Sequence, residues 1–328
     1  MQKRVTIADL AKILGIDKSS ISLALRDSPK MSVATRARVQ RAAREHNYTP
    51  NWAAKQLAGA SGHAVGLVMP SAFACLSFPP VVHTIQALAR LAAERGLTLN
   101  LIASEWLSVA KDQPLQPLHA DGLLVWGDVP AASTSWFSGA YARPSIVLDP
   151  HHPSYARYPG STIRIRNKEG ASAVVAHLYD RGAKRLLFVQ VVTEHLGHED
   201  RWRGARAAWT ERASASSLRK VHIQELKDTD LVEFASSPDG AIFCSNDVGA
   251  MQVWHQLHRL GIAVPKNVKL AGFDGDEYGA LVGLTTALFD SETLAQKAIS
   301  ALFKLMTKEA DKLGHDSIPI TVRVGTTS

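Results

Sequence analysis

Apolar positions along the chain fall into two regimes. From Thr6 to about Ala58 they recur at helical spacing in short bursts, whereas from Ala64 onward short unbroken apolar runs alternate with longer amphipathic stretches. In the first regime Thr6-Ile7-Ala8-Asp9 has the form of a capping box, which opens a helix with Ile7, Leu10, Ala11 and Leu14 turned inward. Gly15 breaks that helix, and a small residue followed by a glycine turn lets two helices cross closely, as a helix-turn-helix corner requires. Asp17 caps a second helix from Lys18 to about Leu25, with Ile21, Ala24 and Leu25 facing the core. Ser32 caps a third, with Val33, Val39 and Ala42 as its apolar stripe, ending near Asn47. Pro50 stops whatever precedes it, and Asn51 can cap one more short helix, Trp52 to Ala58. A helix that short is not stable alone, so it is expected to be ordered only when docked.

The second regime predicts strands at Ala64–Met69, Thr98–Ile102, Gly122–Trp126, Ser145–Leu148, Arg185–Gln190, Gly240–Cys244, Val268–Phe273 and Ile318–Val324. Between them lie amphipathic helices such as Thr84–Arg95, Ala171–Arg181, Trp202–Ala213, Asp247–Leu260 and Ser291–Lys308. Strand and helix in alternation imply an α/β chain with a largely parallel sheet, which binds ligands beyond the carboxyl ends of its strands.

Charge separates the regimes further. The formal net charge is +7, and residues 1–62 hold eleven basic residues against four acidic ones, so the remaining 266 residues are neutral. A polyanion is the natural partner for the first segment. Cys75 and Cys244 lie in apolar, strand-like surroundings without metal-ligand spacing and read as buried thiols of a reducing compartment. No export signal opens the chain and no apolar stretch is long enough to span a membrane, so a cytoplasmic protein is expected. His195-Leu196-Gly197-His198-Glu199-Asp200 reads as a polar loop with no distant partner at zinc spacing, so neither a metal nor a cofactor is expected. There is no Gly-x-Ser-x-Gly, phosphate-loop or Gly-x-Gly-x-x-Gly motif, which argues against an enzyme.

The first segment resembles the lactose-repressor (LacI/GalR) family of bacterial transcription regulators. The matching residues are Thr6-Ile7-Ala8-Asp9-Leu10-Ala11, Gly15-Ile16, Ser20-Ile21-Ser22, Thr35-Arg36, Tyr48-Thr49-Pro50-Asn51 and Ala54…Leu57-Ala58. The resemblance implies that Lys18 and Ser19 read bases, that Ser20, Ser22, Arg26, Lys30 and Ser32 position phosphates, and that Thr6, Tyr48, Asn51 and Ala54 belong to the same surface. It implies that the 51–58 helix is a hinge whose Leu57 wedges into the minor groove. Many members carry Arg where this chain has Leu23. Arginine suits bidentate contact with guanine and leucine only an apolar contact, so the operator half-site is expected to differ at that base pair.

The resemblance continues through Val65-Gly66-Leu67-Val68, Ala120-Asp121-Gly122, Asn167…Gly170-Ala171, Arg201-Trp202-Arg203-Gly204, Ser245-Asn246-Asp247, Gly272-Phe273-Asp274 and Leu284-Thr285-Thr286. It implies a small all-α helix-turn-helix domain (1–50), a hinge helix and linker (51–62), and a two-lobed α/β effector domain like a periplasmic binding protein (63–328). The lobes are expected at about 63–160 with 291–319, and about 161–290 with 320–328. Arg201, Asn246 and Asp274 match pocket positions, and Phe78 survives as an aromatic platform. Arg166 stands where an acidic residue is common. With Arg201 nearby it is expected to make the pocket positive, which implies an anionic or phosphorylated effector, or a pocket no longer tuned for neutral sugars. The expected protein is a homodimeric regulator, most often a repressor in this family, whose grip on double-stranded operator DNA is set by a small-molecule effector. The chain stops soon after Val322-Arg323-Val324 without a heptad tail, so a dimer is expected and not a tail-made tetramer. The alternatives are an architectural DNA-binding protein without an effector site, and a cytoplasmic small-molecule-binding protein.

Overall fold

The computed structural model describes residues 5–25, 28–46, 64–69, 76, 78–104, 120–127, 143–150, 160–192 and 196–328. The chain divides into two compact units, Met1–Gly62 and His63–Ser328.

The described part of the first unit is three helices, α1 (Ile7–Leu14), α2 (Lys18–Leu25) and α3 (Val33–Glu45). The capping box forms: the Asp9 amide donates to Thr6 Oγ1 at 3.3 Å and the Thr6 amide to Asp9 Oδ2 at 2.9 Å. Gly15 ends α1 at φ +66° and has open space where a Cβ would stand, so the left-handed backbone alone explains the glycine. The Thr35 amide donates to Ser32 Oγ at 3.1 Å and so caps α3. Leu10, Ile21, Ala24, Val39, Ala42 and Ala43 form the core. Val33, expected in that core, is 73% exposed. Six residues before Val39, it points about 120° away from the buried stripe. A tie invisible in the pattern runs from the Arg38 guanidinium to the Leu14 carbonyl at 3.1 Å, joining α3 to the end of α1.

The second unit holds two six-stranded sheets. The first contains β1 (Ala64–Met69), β2 (Thr98–Ala103), β3 (Gly122–Trp126), β4 (Ser145–Leu148), β5 (Ser161–Ile165) and β11 (His315–Ile318), in the order β11-β5-β4-β3-β1-β2. The second contains β6 (Arg185–Gln190), β7 (Leu218–His222), β8 (Gly240–Cys244), β9 (Lys269–Asp274), β10 (Thr285–Phe289) and β12 (Ile320–Arg323), in the order β12-β10-β9-β8-β6-β7. All pairings are parallel except β12 against β10. Helices α4 (Pro79–Glu94) and α10 (Ser291–Met306) cover the first sheet through Leu88, Leu91, Leu294, Ile299 and Leu302. On the second, α5 (Asn167–Asp180) and α6 (Leu196–Thr210) cover the face of Leu186, Phe188 and Phe243. Helices α7 (Asp228–Phe234) and α8 (Asp247–Arg259) cover the face of Leu187, Val189 and Ile242, and a short α9 (Glu277–Leu281) packs near α8.

The chain passes between the sheets three times: from β5 to α5, from β10 to α10, and from β11 to β12. Each passage leaves the carboxyl end of a strand, so the carboxyl ends of both sheets lie where the two lobes join. The first passage follows Ile165, because Ser161–Ile165 pairs with β4 and β11 in the first sheet. The lobe boundary expected at 160 therefore falls five residues too early. The strand expected at Ile318–Val324 takes in β12 and only the last residue of β11; the two lie in different sheets and are separated by Pro319, which has no N–H to continue a ladder. Helices α4, α5 and α6 each begin one or two turns before their expected starts, and residues 196–200, expected in a polar loop, are the first turns of α6.

Candidate DNA-reading surface and ligand cleft

In the first unit the expected contact residues lie on one helix and its flanks. Lys18 and Ser19 are exposed at the start of α2, Ser20, Ser22 and Leu23 are half-buried on it, and Lys30 and Ser32 are exposed before α3. Asp17 organises the start of α2. It accepts the Ser20 amide at 2.8 Å and hydroxyl at 2.6 Å, and the Ser19 hydroxyl as well. These donors, the Ser19 hydroxyl foremost, hold its carboxyl well below the usual carboxylate range. The Ser19 hydroxyl proton is thereby committed to Asp17, which leaves its oxygen as an acceptor. Thr6 and Ser32 both serve as helix N-caps, and amide groups at a helix start suit a phosphate oxygen. Arg26, Tyr48, Asn51, Ala54 and Leu57 lie outside the described residues.

In the second unit Arg201, Asn246 and Asp274 come together at the carboxyl ends of β8 and β9. Arg201 Nη2 pairs with Asp274 Oδ1 at 2.8 Å, both side chains being about one-tenth exposed. Its Nε donates to Asn167 Oδ1 at 2.8 Å and its Nη1 to the Ser245 carbonyl at 2.6 Å, and the guanidinium lies 3.8 Å from the Phe273 ring centroid. Asn246 caps α8, accepting the Gly249 amide on Oδ1 at 2.8 Å. Capping uses only the oxygen: the amide nitrogens of Asn246 and of Asn167 are buried without a hydrogen-bond partner, as is Gln190 Oε1 at the end of β6. Two donors and one acceptor are thus left open around the Arg201–Asp274 pair. Ser245 continues the network, sharing a 2.7 Å hydrogen bond with His198 Nδ1.

Beneath this row lies Asp247, which accepts the Thr286 hydroxyl at 2.7 Å and the Gly275 and Asp276 amides at 2.8 Å each. Those two amides converge because Asp274 (φ +113°) and Gly275 (φ +78°) both turn left-handed. A non-glycine held at positive φ is strained, and such strain concentrates at binding sites. Burial and the Asp274 carboxylate push Asp247 up to about 8, against the Thr286 hydroxyl and Asp276 amide. Burial lifts Asp274 to about 6, with Arg201 pulling it back.

Two expected residues behave differently. Arg166 is exposed, its Nε donating to Ser317 Oγ at 3.0 Å on β11, and no contact joins it to Arg201 among the described residues. Arg201 is itself matched by Asp274, so the positive pocket expected from two arginines does not form. Phe78 is half-buried at the N-cap of α4 in the other lobe. Asn167, Ser245, Phe273, Gln190 and Asp247 were not among the expected site residues. Gln190, Ser245 and Phe273 stood at or just past the ends of predicted strands, and Asn167 and Asp247 in stretches that match the family. Among the described residues no group of three His, Cys, Asp or Glu side chains could hold a metal ion, and no helix is long and apolar enough to cross a membrane.

Residues 6–51 match the model of bacterial regulatory proteins of the lacI family, and residues 175–328 match that of the periplasmic binding protein-like domain. The chain joins a LacI-family domain to a periplasmic-binding-protein-like domain. Among its relatives, the ribose operon repressor of Halalkalibacterium halodurans is 24% identical, covering 95% of this chain and 92% of its own. The HTH-type transcriptional repressor PurR of Aliivibrio fischeri is 22% identical over 91% of each chain. The fold is similar to that of the Lac repressor dimer bound to operator and the anti-inducer ONPF, with a TM-score of 0.79, 20% identity and 99% of both chains covered. It is also similar to a LacI family regulator from Enterococcus faecium with bound ribose, with a TM-score of 0.67, 16% identity, and 81% of this chain and 98% of that one covered.

Proposed function

We propose that this protein is a sequence-specific DNA-binding transcription regulator, a repressor, whose operator affinity is set by a small molecule held between its two lobes. The observation that carries the reading is one chain joining a LacI-type helix-turn-helix to a two-sheet unit with open hydrogen-bonding atoms around Arg201 and Asp274. Relatives of matching length are named as repressors, and a Lac repressor of similar fold is described as a dimer on its operator. Action as a homodimer on a near-palindromic site, in the cytoplasm, follows from that likeness. Ligand bound between lobes favours one lobe arrangement, and DNA and ligand then alter each other's affinity reciprocally, typically by about 1–3 kcal/mol.

For the effector we propose a neutral, hydroxyl-rich molecule. The Arg201 charge is matched by Asp274, and what remains open is two amide donors and a carboxamide acceptor, which suit hydroxyl groups. The test is operator selection from random duplexes, followed by titration of neutral monosaccharides and small anions against operator affinity. A regulator shows coupling to one of the neutral compounds. An architectural protein shows none, and coupling to anions alone would reverse the effector assignment.

A further inference from the structure

At the far end of the first sheet from the cleft, a cavity of about 390 Å3 opens between α10 and the amino ends of β5 and β11. Its volume is in the range of small-molecule sites. Ile146 and Ile163, both buried, form an apolar floor. Lys297 on α10 is spoken for: its Nζ donates to both Asp316 carboxylate oxygens at 3.0 and 2.9 Å and to the Ser317 carbonyl at 3.2 Å. Two turns further along the same helix face, Lys304 is exposed and has no ion pair among the described residues. His315 lines the same cavity and spends Nδ1 on Thr162 Oγ1 at 2.9 Å, which leaves Nε2 as its other polar atom. With Asp316 cancelled by Lys297, the charged groups lining the cavity sum to a net positive value.

We propose that this cavity is a second ligand site, separate from the cleft, that takes a small anion with an apolar body. The anionic head, a phosphate or carboxylate, sits between Lys304 and His315, and the body lies on Ile146 and Ile163. An occupant would bridge α10, which the chain enters at its second passage between lobes, and β11, which leads into the third. The site is thereby placed to act on the arrangement of the lobes without touching the cleft.

The test is calorimetric titration of the full chain with phenyl phosphate, inorganic phosphate and benzyl alcohol. Phenyl phosphate should bind saturably in the millimolar range or tighter, and at least about tenfold more tightly than either fragment-like probe. The Lys304→Ala/His315→Ala variant, and separately Lys304→Glu, should weaken it by at least about tenfold while leaving the melting curve and operator affinity unchanged. Lys304→Arg should retain it. No saturable binding, or equal binding by the double variant, overturns the proposal. Neither result bears on the cleft or on operator recognition, which are read by the operator titration.

Discussion

Arg201 is the residue whose removal the structure lets us follow quantitatively. Arg201→Met keeps the length and apolar stem but deletes the pair with Asp274, the donors to Asn167 and Ser245, and the stacking on Phe273. Breaking a buried pair by removing one partner typically costs about 3–5 kcal/mol. Here the charge part is capped, because Asp274 can take a proton instead of standing as a buried, unmatched carboxylate. In the wild type this carboxyl ionises near pH 6. Without Arg201, the group pulling it down, its pKa moves higher. A folded pKa raised above the unfolded value gives stability that is complete below the unfolded pKa and lost as pH rises through the folded one. Below pH 6 both proteins hold Asp274 protonated, and the deficit is the lost hydrogen bonds and stacking, about 1–3 kcal/mol. Above pH 6 only the wild type releases the proton, so the deficit grows by about 1.4 kcal/mol per pH unit toward pH 8. Because Asp274 stays protonated in the variant, its push on Asp247 is lost there, so about 1.4 kcal/mol per pH unit is the upper limit of that growth. Urea denaturation followed by tryptophan fluorescence, which reports the unit holding Trp202 and the fully buried Trp209, measures this. The double variant Arg201→Met/Asp274→Asn should be more stable than the single at pH 8 and show no growth of the deficit. A single-variant deficit below about 1 kcal/mol and level from pH 6 to 8 would refute a buried, charge-matched pair.

Other outcomes follow from individual contacts. Gly204→Ala would place a Cβ 2.2 Å from the Lys168 carbonyl oxygen, forcing α5 and α6 apart at a cost of about 3 kcal/mol, read as a lower urea midpoint with operator binding of the folded fraction retained. In the wild type, protonated Asp247 contributes stability that is lost as pH rises toward about 8, so between pH 6.5 and 8 stability should fall by about 1.4 kcal/mol per unit. A melting temperature level or rising across that window would mean that the Thr286 hydroxyl and two amides hold Asp247 ionised. Leu23→Arg should move the selected half-site toward guanine at the contacted base pair, with discrimination of about 1–3 kcal/mol. Selection of guanine by the wild type itself would show that Leu23 does not face that base.

Much of the fold was legible because it is written in local pattern. The capping box at Thr6, the glycine at 15 and the cap at Ser32 all act within four residues, and the structure forms each of them. Strands β1, β3, β4, β6 and β8 are largely apolar runs because they are buried on both faces, and their bounds match the pattern. Three of the strands that escaped notice did so for reasons equally physical. Leu218–His222 is an edge strand carrying Arg219 and Lys220, and edges are kept charged. Ser161–Ile165 and Thr285–Phe289 bury Ser and Thr, whose hydroxyls find partners only in the folded chain, as Thr286 does on Asp247. The early starts of α4 and α5 hide behind residues that do not look amphipathic: two prolines at 79 and 80, whose missing N–H is no loss in a first turn, and Asn167, whose side chain turns to Arg201.

The cleft shows where pattern reading stops. Arg166 stands where an acidic residue is common in the family and Arg201 at a position that matches its pocket, and by that matching alone they add up to a positive pocket. What decides their effect is the partner each one finds. Arg166 follows a strand paired with β11, so Ser317 is within reach, and its guanidinium leaves the cleft for that outer strand. Arg201 lies on α6 over the end of β9, where Asp274 turns left-handed and meets it. That backbone turn has no signature in composition, yet it cancels the charge and also delivers the Gly275 and Asp276 amides to Asp247. If the turn is what neutralises the site, then restoring freedom of charge should restore anion binding. Asp274→Asn keeps the acceptor oxygen and side-chain volume but leaves the Arg201 charge unmatched. Such a variant should gain affinity for small carboxylates and phosphates at the cleft while losing any response to neutral sugars. It should also tighten its hold on anions as salt is lowered, since the attraction is then a net charge and no longer a matched pair. A variant that binds anions no better than the wild type in a low-salt titration would mean that Arg201 stays locked onto Asn167 and Ser245 whatever Asp274 does, and that geometry rather than charge shuts anions out.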